Sequence, residues 1–130
     1  MAIPFEASIP GTPQGVRMLR REMAAVAKEC GMDAEGIADV QLAVTEAATN
    51  AVVHAYARAQ GELRVTAAMY DGELAIVIKD TGPGLVENSE SAGLGAGLCV
   101  IASVSERLRI ISHPGGTEVH MAFSCPKGDC

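Results

Sequence analysis

Glu62-Leu63-Arg64-Val65-Thr66-Ala67-Ala68-Met69-Tyr70-Asp71-Gly72-Glu73-Leu74-Ala75-Ile76-Val77-Ile78-Lys79-Asp80 is the stretch that decides the architecture. Its two strand patterns, over roughly 61–70 and 73–80, meet at Asp71-Gly72, a dipeptide suited to a tight antiparallel hairpin. Upstream, Val16, Leu19, Met23, Val26 and Ala27 recur at helical spacing, with Thr12 as cap, Pro13 at the first position and Gly31 as terminator. Asp33 caps a second helix that runs to about Ala57, with Ile37, Val40, Val44, Ala47, Ala48, Ala51 and Val52 as its apolar stripe. Residues 2–9 read as an edge strand, held at the edge by Pro4. Downstream, 81–94 lacks periodicity and reads as a loop or lid, followed by a helix over about 96–106. Strands over 107–113 and 117–124, separated by Pro114-Gly115-Gly116, close the chain.

The order β-α-α-β-β-α-β-β predicts an α+β fold. It is a two-layer sandwich, with a mixed, mostly antiparallel sheet and about three helices on one face. The 130 residues read as one domain over 1–125 with a disordered tail at 126–130. Two Phe, two Tyr and no Trp leave the core to Ala, Val, Ile, Leu and Met. A net charge of −6, with no basic stripe and no exposed aromatic series, disfavours nucleic-acid binding. Arg17, Arg20 and Arg21 cluster on the first helix as a solvated face or a partner-docking patch. Cys30, Cys99, Cys125 and Cys130 have no metal-ligand spacing with His54, His113 or His120. They read as reduced thiols of a cytosolic protein, with Cys99 buried on a helix and Cys130 exposed on the tail. No signal peptide and no membrane-length apolar run is read.

Three short strings carry the chemistry. Glu46 and Asn50 are four residues apart and share a helix face. A carboxylate there can take a proton from an attacking hydroxyl, and the carboxamide oxygen can help hold Mg²⁺, which prefers oxygen ligands. On spacing alone, an ordinary polar pair on a solvated face is the better reading; the Ala- and Val-rich helix around the pair and the later glycine strings weigh against it. Thr45 and Thr49 beside it have bonds to the helix backbone available.

Asp80 ends an apolar strand. An ionised carboxylate there can accept a bond from an exocyclic amine such as that of adenine, and Gly82 and Gly84 let the backbone approach a flat ligand. An Asp-capped turn is the structural alternative. Gly93, Gly95 and Gly97 stand immediately before a helix pattern, where backbone N–H groups and the helix N-terminus can meet phosphates. A flexible hinge is the alternative. The string is neither a P-loop nor a dinucleotide fingerprint.

The strings Glu46-Ala47-Ala48-Thr49-Asn50-Ala51-Val52-Val53-His54-Ala55-Tyr56, Asp80-Thr81-Gly82-Pro83-Gly84 and Gly93-Leu94-Gly95-Ala96-Gly97-Leu98, with Gly115-Gly116-Thr117 later, resemble the Bergerat-fold (GHKL) ATP-binding superfamily. That superfamily includes gyrase, histidine kinases and MutL. Within it, the short length and the His54-Ala55-Tyr56 ending look like the anti-sigma factor serine/threonine kinases. The resemblance implies that Glu46 is the general base, that Asn50 helps hold Mg²⁺, and that Asp80 accepts from the adenine amine. It implies that Gly82 and Gly84 shape the base pocket, that Gly93, Gly95 and Gly97 lie along the phosphates, and that Thr117 supports the adenine end. It further implies ATP and Mg²⁺ as ligands, a small antagonist protein with a phosphorylatable Ser or Thr as substrate, a sigma factor as second partner, and a homodimer in the cytoplasm.

One departure stands out: no basic residue lies between Lys79 and Arg107, where relatives often carry one. Phosphoryl transfer gains much from a cation near the γ-phosphate. The alternative is therefore an ATP-binding anti-sigma or stress-signalling switch module with little or no kinase activity.

Overall fold

The structure is a computed structural model that describes residues 5–54, 61–81 and 92–126. The strands are β1 (Phe5–Pro10), β2 (Glu62–Tyr70), β3 (Glu73–Asp80), β4 (Arg107–His113) and β5 (Gly116–Ser124). The helices are α1 (Pro13–Glu29), α2 (Ala34–His54) and α3 (Ala92–Val104). Pro4, Gly82, Gly84, most of the expected lid and the last four residues of the tail lie outside the described residues.

Local chemistry sets the helix starts. The Gly15 N–H donates to Thr12 Oγ1 at 3.0 Å, and Pro13 sits where its missing N–H has no helical partner to lose. The Gly36 N–H donates to Asp33 Oδ1 at 2.9 Å in the same way at the head of α2. The central hairpin turns through Asp71 and Gly72, whose φ values of 54° and 78° are those of a type I′ turn.

The sheet order is β1-β2-β3-β5-β4, and each of its four pairings is antiparallel. The sequence predicts a mixed sheet; among the described strands no parallel pair occurs. β2–β3 and β4–β5 are hairpins, β1 pairs with β2 across the two intervening helices, and β3 meets β5 after the chain has crossed through α3 and β4. Side chains alternate across the sheet, so Leu63, Val65, Ala67 and Met69 share the buried face with Leu74, Ile76, Ile78, Met121 and Phe123. The helices cover that face, with α1 against β1, α2 against β3 and α3 against β4. Leu19, Met23, Val40, Val44 and Ile101 are fully buried between the layers. Each large side chain so buried contributes roughly 1.5–3 kcal/mol. Arg17, Arg20 and Arg21 are exposed, as the solvated-face reading expects.

Two expectations are corrected. Cys99 is exposed rather than buried, because Gly97 and Ile101 take the inward positions of α3 and turn Cys99 outward. The third helix begins at Ala92, four residues before the expected start. The glycines at 93 and 95 lower helix propensity, but Leu98 and Ile101 tie the helix to the core, and α3 packs along α2.

Candidate functional site

Glu46 and Asn50 lie one turn apart on α2, between the buried residues Ala47, Ala48 and Ala51. Both are half-buried. The alanines keep α2 close to the sheet and leave the longer polar side chains to emerge beside α3. There they converge on one point, the α-carbon of Gly97. A methyl group placed on Gly97 would stand 2.7 Å from Asn50 Nδ2, 3.3 Å from Asn50 Oδ1 and 3.2 Å from Glu46 Oε1. Glycine is the residue that lets the α3 backbone come this near to both functional groups.

The glycine string is thus helical. Gly93 falls among the first three residues of α3, whose N–H groups lack intrahelical partners, Gly95 is the fourth residue and Gly97 falls in the second turn. The structure brings Gly97 to Glu46 and Asn50, a role in packing that spacing did not reveal.

A second group forms at the far end of β3. Asp80 pairs with Thr117 across β3 and β5, and the Thr117 N–H donates to Asp80 Oδ1 at 3.3 Å. Thr117 is buried, at 6 % exposure. Beside it, Gly116 has φ +149°, and a side chain there would overlap the Asp80 carbonyl oxygen and stand 2.9 Å from its carbon. Gly116 therefore fixes the approach of β5 to Asp80, a part the sequence reading left to Thr117 alone. The Gly115-Gly116 pair preceding Thr117 is the signal that marks it. The packing of α2 on β3 links this group to the first.

Next to Thr117, the Glu118 carboxylate lies 2.9 Å from His120 Nε2 and 3.9 Å from Lys79 Nζ. The hydrogen bond with His120, helped by the Lys79 charge, holds that carboxyl below its usual range against the opposing effect of burial. Thr45 Oγ1 is buried with no hydrogen-bond partner among the described residues, so the expected bond to its own helix backbone is not made. Gly82 and Gly84 lie outside the described residues, as does the side chain of His54.

A family model described as a histidine kinase-like ATPase domain matches residues 9–123, a span that holds every site residue named above. The chain belongs to this family. Among curated proteins, it is similar to the serine-protein kinase RsbW of Bacillus thuringiensis, strain Al Hakam. The two are 36% identical over 78 residues, 60% of this chain and 49% of the relative. The serine-protein kinase RsbW of a Bacillus cereus strain is 34% identical over 91 residues, 70% of this chain and 57% of the relative. The chain spans about half the length of the curated relatives it matches.

Among solved structures, the RsbU and RsbW domains of Rv1364c from Mycobacterium tuberculosis match with a TM-score of 0.77 at 26% identity. That match covers 95% of this chain and 32% of the other. The histidine kinase domain of a blue-light activated histidine kinase from Erythrobacter litoralis matches with a TM-score of 0.62 at 17% identity, over 88% of this chain and 61% of the other. At that identity the likeness is one of fold. Among the described residues, no helix is long and apolar enough to cross a membrane.

Proposed function

We propose that this domain is a cytosolic protein kinase that binds Mg·ATP and passes the γ-phosphoryl group to a serine or threonine of a small antagonist protein, thereby controlling the release of a sigma factor that it sequesters. The observation that carries the reading is the convergence of Glu46 and Asn50 on the α3 backbone at Gly97. A proton acceptor and an oxygen ligand meet there beside a helix whose first-turn N–H groups suit phosphate. The names of the RsbW relatives, serine-protein kinases, support the choice of substrate.

In this reading the substrate hydroxyl oxygen attacks the γ-phosphorus, its proton goes to Glu46, and the bond to the bridging oxygen breaks to release ADP. Asp80, oriented by the Thr117 N–H, accepts from the adenine amine. Gly82 and Gly84 border the base, while Gly93, Gly95 and Gly97 lie along the phosphates, where the first-turn N–H groups of α3 can donate. Asn50 Oδ1 would supply a neutral oxygen to Mg²⁺, an ion that prefers oxygen ligands. The ion, when bound, neutralises charge on the phosphates. Residues 2–30 offer a homodimer contact, with β1 at a sheet edge and Met18 exposed on α1.

The test is transfer of labelled phosphate to the antagonist. Glu46→Ala is expected to cut it by about 10²–10⁴-fold while ATP still binds; transfer that survives removes Glu46 from the role of base. Asp80→Asn is expected to weaken ATP binding by about 10–100-fold, the worth of a hydrogen bond to a charged group. Unchanged affinity would refute the base-reading role of Asp80. A second reading rests on the absence of any basic residue between Lys79 and Arg107. In it ATP acts as a conformational ligand and sequestration is the whole function, and calorimetry would show ATP binding with no turnover on any antagonist.

A further inference from the structure

Cys30 closes α1 and Cys125 follows the last residue of β5, roughly 95 positions later in the chain. The fold places them together. Cys125 Sγ lies 3.0 Å from the Cys30 carbonyl oxygen, to which its thiol donates, and 3.1 Å from Met69 Sδ. The Cys125 thiol thus sits against the residue that carries the second thiol, and both cysteines belong to the same buried cluster. Cys30 is fully buried and Cys125 is 8 % exposed, so one thiol is enclosed and the other is set just beneath the surface. The Cys125 N–H donates to Gly72 O at 2.9 Å, which holds this segment against the turn between β2 and β3.

We propose that Cys30 and Cys125 form an oxidative modification site, in which a peroxide converts the buried thiol pair to an intramolecular disulfide that clamps the end of α1 to the end of β5. Cys125, the less enclosed thiol, meets the oxidant. Its sulfur attacks one peroxide oxygen, an S–O bond forms, the O–O bond breaks, and water leaves. The Cys30 sulfur then attacks the resulting sulfenic acid. The S–S bond forms, the S–O bond breaks, and the departing hydroxide takes the Cys30 proton as a second water. The two thiols together lose two electrons and the peroxide gains them. Burial, and then the neighbouring Cys125, push the Cys30 thiol up to about 12, which keeps it protonated and leaves the first encounter with the oxidant to Cys125.

The site lies at the opposite end of β3 from Asp80. Ser124 pairs with Glu73 and Thr117 pairs with Asp80, seven residues further along, a separation of roughly 23 Å. The clamp therefore stiffens α1 against the sheet without touching the Asp80 group.

The experiment treats the Cys99→Ser/Cys130→Ser double variant, which keeps both members of the pair, with hydrogen peroxide and follows intact mass and thermal unfolding. The expected product is a monomer lighter by about 2 Da, with a Cys30–Cys125 cross-linked peptide on non-reducing digestion. Its Tm should rise by roughly 5–15 °C, because a bridge over so long a loop restricts the unfolded chain, and dithiothreitol should reverse both changes. Oxygen gained at Cys125 without a cross-link would overturn the proposal. So would an unchanged pair under conditions that oxidise Cys99 in the natural chain.

Discussion

Replacing Gly97 by alanine separates the two things that this residue does. In a helix interior the change should help, since alanine is favoured over glycine by about 1 kcal/mol. Against that stands the contact of the new methyl group with Asn50 Nδ2 at 2.7 Å, Glu46 Oε1 at 3.2 Å and Asn50 Oδ1 at 3.3 Å. The crowding atoms are the ends of two side chains rather than backbone. They can swing aside into off-rotamer positions at about 0.5–1.5 kcal/mol each. Gain and loss nearly cancel, and Gly97→Ala should unfold within about 5 °C of the natural chain.

The site does not escape so lightly. Restoring an ordinary contact distance moves the Asn50 carboxamide by about 1 Å, and a misplacement of that size costs on the order of 10²-fold in rate. Phosphate transfer should fall by that factor, and the Mg²⁺ dependence of ATP binding should weaken, in a protein of unchanged stability. Calorimetric unfolding, ATP titration with and without Mg²⁺, and the labelled-transfer assay read the three quantities separately. Full transfer by a well-folded Gly97→Ala protein would refute the view that close approach at Gly97 sets the geometry of Glu46 and Asn50.

Gly116→Ala should behave in the opposite way, losing stability first. Its methyl group meets the Asp80 carbonyl backbone, which cannot rotate away, and its φ of +149° is strained for any side chain. A loss of about 2–4 kcal/mol is expected in denaturant titration, and a change below 1 kcal/mol would show that β5 can shift away from Asp80. For Cys30 the folded thiol pKa is raised from 9.0 to about 12, so its contribution is whole below pH 9 and is lost as pH climbs from 9 towards 12. The unfolding free energy of the natural chain should therefore fall more steeply across that window than that of Cys30→Ala, by about 1 kcal/mol per pH unit. Parallel curves would contradict the burial argument.

The hairpin at Asp71-Gly72, both helix caps and the order of elements were legible because each depends on contacts within a few residues. Thr12 reaches Gly15, and Asp33 reaches Gly36. Sheet order was not legible, since the pairing of β3 with β5 joins residues whose partners are about 40–50 positions apart in sequence. The Cys99 position failed for a related reason. Helical spacing shows which residues share a face, but in so apolar a helix as α3 only the position of α2 decides which face turns inward. At the site, types and spacing offered Glu46, Asn50 and Asp80 only beside ordinary structural alternatives, and it was the family resemblance that set them together and added Thr117. That Gly97 would be the meeting point of two of them depends on how α3 lies across α2, which no local pattern encodes.

The same glycines explain why the helix start was misplaced. Against alanine, glycines at 93, 95 and 97 withdraw about 3 kcal/mol of intrinsic helix stability from a thirteen-residue helix. An isolated segment with that composition would not be helical, and a reading based on propensity begins the helix only at about 96, past Gly93 and Gly95. Packing against α2 and burial of Ile101 supply what propensity lacks. The consequence is a helix whose end nearest Glu46 and Asn50 draws its stability from its neighbour. Elements with little stability of their own are those whose position a ligand can bias at small cost. A phosphate bound at the first turn would add partners for its unpaired N–H groups. On the proposed reading, the three glycines make the N-terminal half of α3 a part of the fold whose position a nucleotide would bias at small cost, and the close approach at Gly97 would pass that bias to Glu46 and Asn50.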